Sequence, residues 1–264
     1  MTNGPTNSTN STMHIPSSVD AVLFDLSGTL LDESYAREGL ANLAANLNER
    51  WGIDPNIACS GFVETFRSVS AELSDRPFYM MRDAICAALN RLIANCGHTA
   101  SRGELVYLEH QFWAASIPAA VPTDGAIETL TLLCEAGIRT GIVSYADIPV
   151  FNGLLEQTGL AGLTDVELCS EMARSCKPHH AIFLQALASI DAAPAHTMFV
   201  GDSVDADVVG GNRIGMHTAL LSAQEFTLGG NSTDDPLTHP DHHINHLRDV
   251  LDLVLVSQPS SRCA

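Results

Sequence analysis

The stretch Val22-Leu23-Phe24-Asp25-Leu26-Ser27-Gly28-Thr29 constrains this chain more than any other, because a short apolar run stops abruptly on a carboxylate and then turns. An all-apolar strand needs cover on both faces, which is the setting of a strand in a parallel sheet. The carboxyl edge of such a sheet is where reactive side chains are presented. The pattern recurs: residues 138–144 run into Ser144, and residues 197–201 run into Asp202. Further strand-like runs span Thr164 to Leu168 and Met216 to Leu221. Between them, Ala126 to Ala136, Val150 to Thr158, Ala181 to Ile190 and Ala206 to Ile214 carry apolar residues at helical spacing. Alternating strands and helices predict an α/β fold with a doubly wound parallel sheet.

Residues 33–117 break this alternation. Helical periodicity dominates over Tyr35 to Trp51, Asn56 to Leu73, Phe78 to Asn95 and Arg102 to Ala115, with breakers at Gly52–Pro55, Asp75–Pro77 and Gly97–Ser101. The expected organisation is a core of residues 18–32 and 118–258 with a four-helix cap inserted at 33–117. Residues 1–17, rich in Asn, Thr and Ser, read as a disordered tail with no signal peptide. The sequons at Asn7, Asn10 and Asn231 carry no expected role. Gln224 to Asp241 reads as a surface loop, and Ile244 to Val256 as a final helix with Asp241 at its cap.

Composition narrows the function. A formal net charge of −18 over 264 residues, with no basic stripe, excludes nucleic acid as an expected partner. No run approaches the roughly 18 apolar residues of a membrane helix. Seven scattered cysteines without a Cys-x-x-Cys pair point to reduced thiols and a cytoplasmic setting. Cys176 adjoins a positive charge that could favour a thiolate, but a small apolar filler is the preferred reading. The tract His239, His242, His243 and His246 reads as a solvated surface in preference to a metal site. The chain has one lysine, Lys177, directly before Pro178. A strand-end Asp, a lone Lys and the acidic run Gly201-Asp202-Ser203-Val204-Asp205-Ala206-Asp207 suggest metal-assisted attack on phosphorus.

Four segments in order resemble the motifs of the haloacid dehalogenase-like hydrolase superfamily. They are Asp25-Leu26-Ser27-Gly28-Thr29, Gly141-Ile142-Val143-Ser144, Lys177-Pro178, and Gly201-Asp202 with Asp207. The resemblance implies that Asp25 is a nucleophile forming an aspartyl-phosphate, with Lys177 neutralising the charge. It implies a Mg²⁺ site made by Asp25, Asp202, the main-chain carbonyl of Ser27, and Asp207. Asp207 is either a ligand or the acceptor that orients Lys177, and Asp205 is the alternative for that second role. Gly28, Thr29, Ser144 and Tyr145 are the expected substrate-binding residues. Ser144 also reads as a helix N-cap, and Asp147 preferentially as a cap of that same helix. The expected substrate is a small phosphorylated metabolite; oligomeric state stays open.

One departure matters. Position 27 usually carries an Asp that protonates the leaving group and then activates water; here it is Ser27. General acid–base catalysis of that kind is worth about 10²–10⁴-fold. Asp32, Glu33, His179 and His180 are the residues that could carry the proton instead, though each reads first as structural. The rival functions are attack on carbon through an aspartyl ester, as in a dehalogenase, and a catalytically weakened phosphate-binding regulator. The cap holds no lysine, which excludes Schiff-base phosphonate cleavage. The cap arginines Arg37, Arg67, Arg76, Arg82 and Arg91 are possible anion contacts, and Arg76-Pro77-Phe78-Tyr79 lies where a cap could face the core.

Overall fold

A computed structural model describes residues 19–222 and 235–255. The tail, Asn231, Cys263 and most of the loop after Leu221 lie outside these residues. Six strands form one sheet: β1 (Ala21–Phe24), β2 (Arg139–Ser144), β3 (Val166–Cys169), β4 (Thr197–Gly201), β5 (His217–Leu221) and β6 (His242–Ile244). Their order is β3-β2-β1-β4-β5-β6, and every pairing is parallel. The chain winds outward from β1 through β2 and β3, then returns to the other side of β1 at β4. The winding direction therefore reverses between β1 and β4, and crevices at such reversals are where open α/β sheets bind ligands.

Alternation along β1 explains the two covered faces. Val22 and Phe24 point into one cluster, with Leu130 and Leu133 of α5 (Ala126–Glu135), Phe151 and Leu154 of α6 (Ile148–Thr158) and Val250 and Val254 near the chain end. Ala21 and Leu23 point into another, with Ile182, Phe183 and Leu187 of α8 (His180–Ser189). A short helix, α7 (Ser170–Ala173), precedes α8. A wide turn over Val204–Val208 opens α9 (Val209–Ile214), and α10 (Asp249–Leu255) ends the described chain.

The four inserted helices are α1 (Ser34–Trp51), α2 (Pro55–Leu73), α3 (Met81–Asn95) and α4 (Arg102–Ser116). They enclose their own apolar cluster around Leu47, Phe62, Leu89, Leu92 and Phe112. The segments entering and leaving the insert run side by side: Asp32 N donates to Val121 O at 3.2 Å, and Thr123 N to Leu30 O at 2.9 Å. Among the described residues no helix is long and apolar enough to cross a membrane.

Five sequence expectations need correction. Helix α3 starts at Met81, three residues after Phe78, because the stretch before it is held extended against the core: Cys176 N donates to Pro77 O at 2.8 Å. The final helix starts at Asp249, and His242–Ile244 form an edge strand instead. Asp241 does not cap that helix; its carboxylate accepts Thr218 N of β5 at 2.9 Å, while Asp249 accepts Asn245 N and His246 N. Ser144 ends β2 and does not cap α6, whose N-cap residue is Asp147. The Asp147 side chain does not cap α6 either. It accepts Met81 N and Arg82 N, each at 2.9 Å, and so caps α3 of the insert from the core.

Candidate active site

The parallel register delivers the site. Phe24 is level with Val200, and Asp25 N continues the ladder to Val200 O at 2.9 Å, so Asp25 and Asp202 leave adjacent strand ends. The loop after Asp25 must then pass very close to Asp202. Gly28 has φ +82°, and a Cβ there would lie 2.4 Å from Asp202 Oδ2, so the turn demands glycine on two counts. Gly201 is squeezed in the same way, since a Cβ would meet Asp207 Oδ2 at 2.2 Å.

Lys177 comes from the loop between α7 and α8, and its side chain is 3% exposed. Its Nζ donates to Asp25 Oδ1 at 2.5 Å and to Asp207 Oδ1 at 2.6 Å. The Phe199 ring lies 5.4 Å beneath the ammonium. Burial opposes the lysine's charge, but Asp207 and Asp25 outweigh it and hold Lys177 above its ordinary value. Asp207 is fully engaged: its Oδ2 accepts Ser203 N at 3.1 Å. Asp205 is exposed and is not among the groups that meet Lys177. Ser144, 2% exposed, ends β2 beside this cluster, and Tyr145 follows it, packed edge-on against Tyr79 of the insert with centroids 5.2 Å apart.

The carboxylates are under-neutralised. Ligand oxygens of Asp25, Asp202 and Asp207 lie within 4.8 Å of one another, and among the described residues this is the one such converging group of His, Cys, Asp or Glu. Burial first, then the charges of Asp25, Asp207 and Glu33, push the Asp202 carboxyl well above the usual range. Burial also raises Asp25, against the pull of Lys177. An all-oxygen donor set short of positive charge fits a hard divalent cation such as Mg²⁺. The histidine tract forms no comparable cluster among the described residues.

Position 27 holds a surprise. Ser27 Oγ lies 2.7 Å from Tyr35 Oη, at the start of α1. Tyr35 belongs to the insert by sequence yet is buried in the apolar cluster of the sheet, beside Leu26, Leu30 and Leu31. Burial pushes its phenol up to about 12, against the effect of its hydrogen bond with Ser27. The sequence reading missed Tyr35, counting it only as a helix start; its eight-residue separation from Ser27 was the available signal.

The other candidates disperse. Asp32 is exposed, and its carboxylate accepts Ser34 N at 2.7 Å. Glu33 is half-buried, and burial raises its carboxyl. His179 and His180 stack on each other at 5.1 Å, with His180 exposed. Thr29 is fully buried, and its hydroxyl has no partner in the structure. Cys176 is buried, and burial pushes its thiol up, so the filler reading holds. Arg91 pairs with Glu72 on the insert surface, while Arg37, Arg67, Arg76 and Arg82 are exposed.

The chain is similar to several known proteins. A ribulose-1,5-bisphosphate 5-phosphatase from Halopiger xanaduensis is 29% identical over 248 residues, covering 89% of this chain and 98% of its own. A glyceraldehyde 3-phosphate phosphatase from Methanopyrus kandleri is 25% identical, covering 89% and 97%. Among solved structures, the Bacillus subtilis protein YfnB, determined bound to magnesium, superposes with a TM-score of 0.71 at 19% identity, covering 90% of this chain and 99% of its own. The haloacid dehalogenase-like hydrolase profile matches residues 19–215, so the chain belongs to that family.

Proposed function

We propose that this chain hydrolyses small phosphoric monoesters by Mg²⁺-assisted attack of Asp25 on phosphorus, through an aspartyl-phosphate. The observation that carries the reading is Lys177, buried and bonded to both Asp25 and Asp207, beside the raised carboxyl of Asp202. Sugar phosphates are the favoured substrates, because the two phosphatase relatives are named for such compounds.

The residues divide the work. Lys177 fixes Asp25 Oδ1, which leaves Oδ2 to attack. Its ammonium also neutralises charge that develops on the phosphoryl oxygens. Asp207 orients that ammonium, since both of its oxygens are engaged. Asp25, Asp202 and the Ser27 carbonyl would hold Mg²⁺, which supplies charge neutralisation between nucleophile and phosphate when bound. Ser144 and the main-chain N–H groups of Leu26, Ser27 and Tyr145 would receive the phosphate, while the N–H of Gly28 is engaged by Leu31 O at 2.9 Å. The insert, 33–117, acts as a cap over the core of 18–32 and 118–258, closing the cleft against water.

A screen of phosphate release from phosphorylated metabolites, with Mg²⁺ and with chelator, tests this. Turnover that vanishes with chelator is expected. A chelator-insensitive rate would favour attack on carbon, and tight phosphate binding without turnover would favour the weakened regulator.

A further inference from the structure

We infer that Tyr35 is a positioning residue that aims the Ser27 hydroxyl at the ester oxygen of the substrate. This rests on the phosphomonoester reading above. Each hydroxyl has one proton to donate and can accept. A buried phenol needs an acceptor for its proton. The partner the structure gives Tyr35 is Ser27 Oγ, at 2.7 Å, and the ring around it is packed among leucines. Tyr35 therefore donates, which frees the Ser27 proton to point elsewhere. Ser27 is only half-buried, on the loop that leads directly out of Asp25, so the remaining direction is the cleft.

Both ends of the bond are held. The loop is closed by Gly28 N to Leu31 O at 2.9 Å and Leu31 N to Leu26 O at 2.8 Å. The first turn of α1 is fixed through Asp32 Oδ1 and Ser34 N at 2.7 Å. The acid at this position in the family's pattern acts by proton transfer; a serine is too weak for that. A held hydroxyl still offers a hydrogen bond that strengthens as charge grows on the departing oxygen. The phenol behind it polarises Ser27 and reinforces the bond. Neither Ser27 nor Tyr35 gives up its proton: as the Asp25–phosphorus bond forms and the ester P–O bond breaks, the departing oxygen takes its proton from solvent water. It predicts discrimination by leaving group: help is greatest where the departing oxygen is most basic.

The test is Tyr35→Phe, which keeps the ring and its packing and removes one oxygen. Steady-state kcat and KM are measured with Mg²⁺ over phosphate monoesters of graded leaving-group acidity, alongside thermal unfolding. The expected result is a kcat lower by about 10-fold or more for alkyl esters, with little change for acidic aryl esters and unchanged KM. Ser27→Ala should give the same steepened dependence, and the double variant should be no worse than either single one. Should Tyr35→Phe fail to fold, Ser27→Ala reads the same bond from its other end. An equal loss across all leaving groups, or no loss, overturns the inference and leaves the phosphatase reading standing. Wild-type protein that releases phosphate from no ester overturns both.

Discussion

In the inserted helices, ends and charges meet partners close by. Asp54 accepts Asn56 N and Ile57 N at the start of α2, Ser101 and Glu104 form a reciprocal capping box on α4, and Gly52 closes α1 in the left-handed conformation. Arg50 meets Glu104, and Arg91 meets Glu72, on the surface. At the sheet edge the reverse holds: three converging carboxylates share one lysine, and burial raises two of them. The contrast shows which region is built to hold and which to react. Capping and surface pairing lower the energy of the helices, while like charges packed at the strand ends store electrostatic cost that a ligand can relieve.

The largest expected effect lies at the sheet edge. Asp25→Asn should abolish turnover while leaving the insert's helical signal and the cooperative melt intact, because it removes a nucleophile and one of the crowded charges. Circular dichroism and phosphate release together check this; an active Asp25→Asn enzyme would falsify covalent catalysis. Lys177→Arg comes next. It keeps the charge, but a planar fork cannot take a compact ammonium's place between two carboxylates. A loss of about 10²-fold or more in kcat is expected, and near-native rates would mean that charge alone suffices.

A third expectation concerns pH and metal. Groups whose carboxyls are raised on folding favour the folded state below their ordinary range, and that contribution is lost as pH climbs through the raised values. For Asp25 and Asp202 this means that metal-free protein loses stability from mildly acidic to neutral pH. Mg²⁺ should therefore raise the melting temperature more at pH 8 than at pH 5, and a pH-independent gain would place the cation elsewhere. The smallest effects belong to the caps. Ser101→Ala should cost about 1 kcal/mol in chemical denaturation without touching kcat. Asp147→Ala should cost a similar amount, about 0.5–2 kcal/mol, but should also change KM, because its cap joins the loop bearing Ser144 to α3. Identical behaviour of the two variants would erase the distinction between the regions.

Legibility in the sequence followed this same divide. The strand ends at Asp25, Ser144 and Asp202 were readable because an apolar run and a polar stop are neighbours in the chain. The inserted helices were readable from periodicity and breakers. Contacts across the junction were not, because nothing local encodes them: Asp147 looked like the cap of its own helix and serves another 65 residues away. Tyr35 looked like the first residue of an amphipathic helix, and its role depends on where the insert's first turn is laid against the sheet. Strand β6 was missed because three residues are too few to show a period. The choice between Asp205 and Asp207 needed coordinates, since both lie in one turn and only one faces Lys177.

The single lysine has a practical consequence for protein chemistry. Amine-directed reagents have one side-chain target in this chain, and in the folded state it is sealed between two carboxylates with its proton firmly held. Intact protein should thus take up label only at its amino terminus, and a second adduct by mass spectrometry would count molecules whose strand-edge cluster has come apart. The extent of double labelling becomes a direct meter of how often the reaction centre opens, without any substrate having been identified.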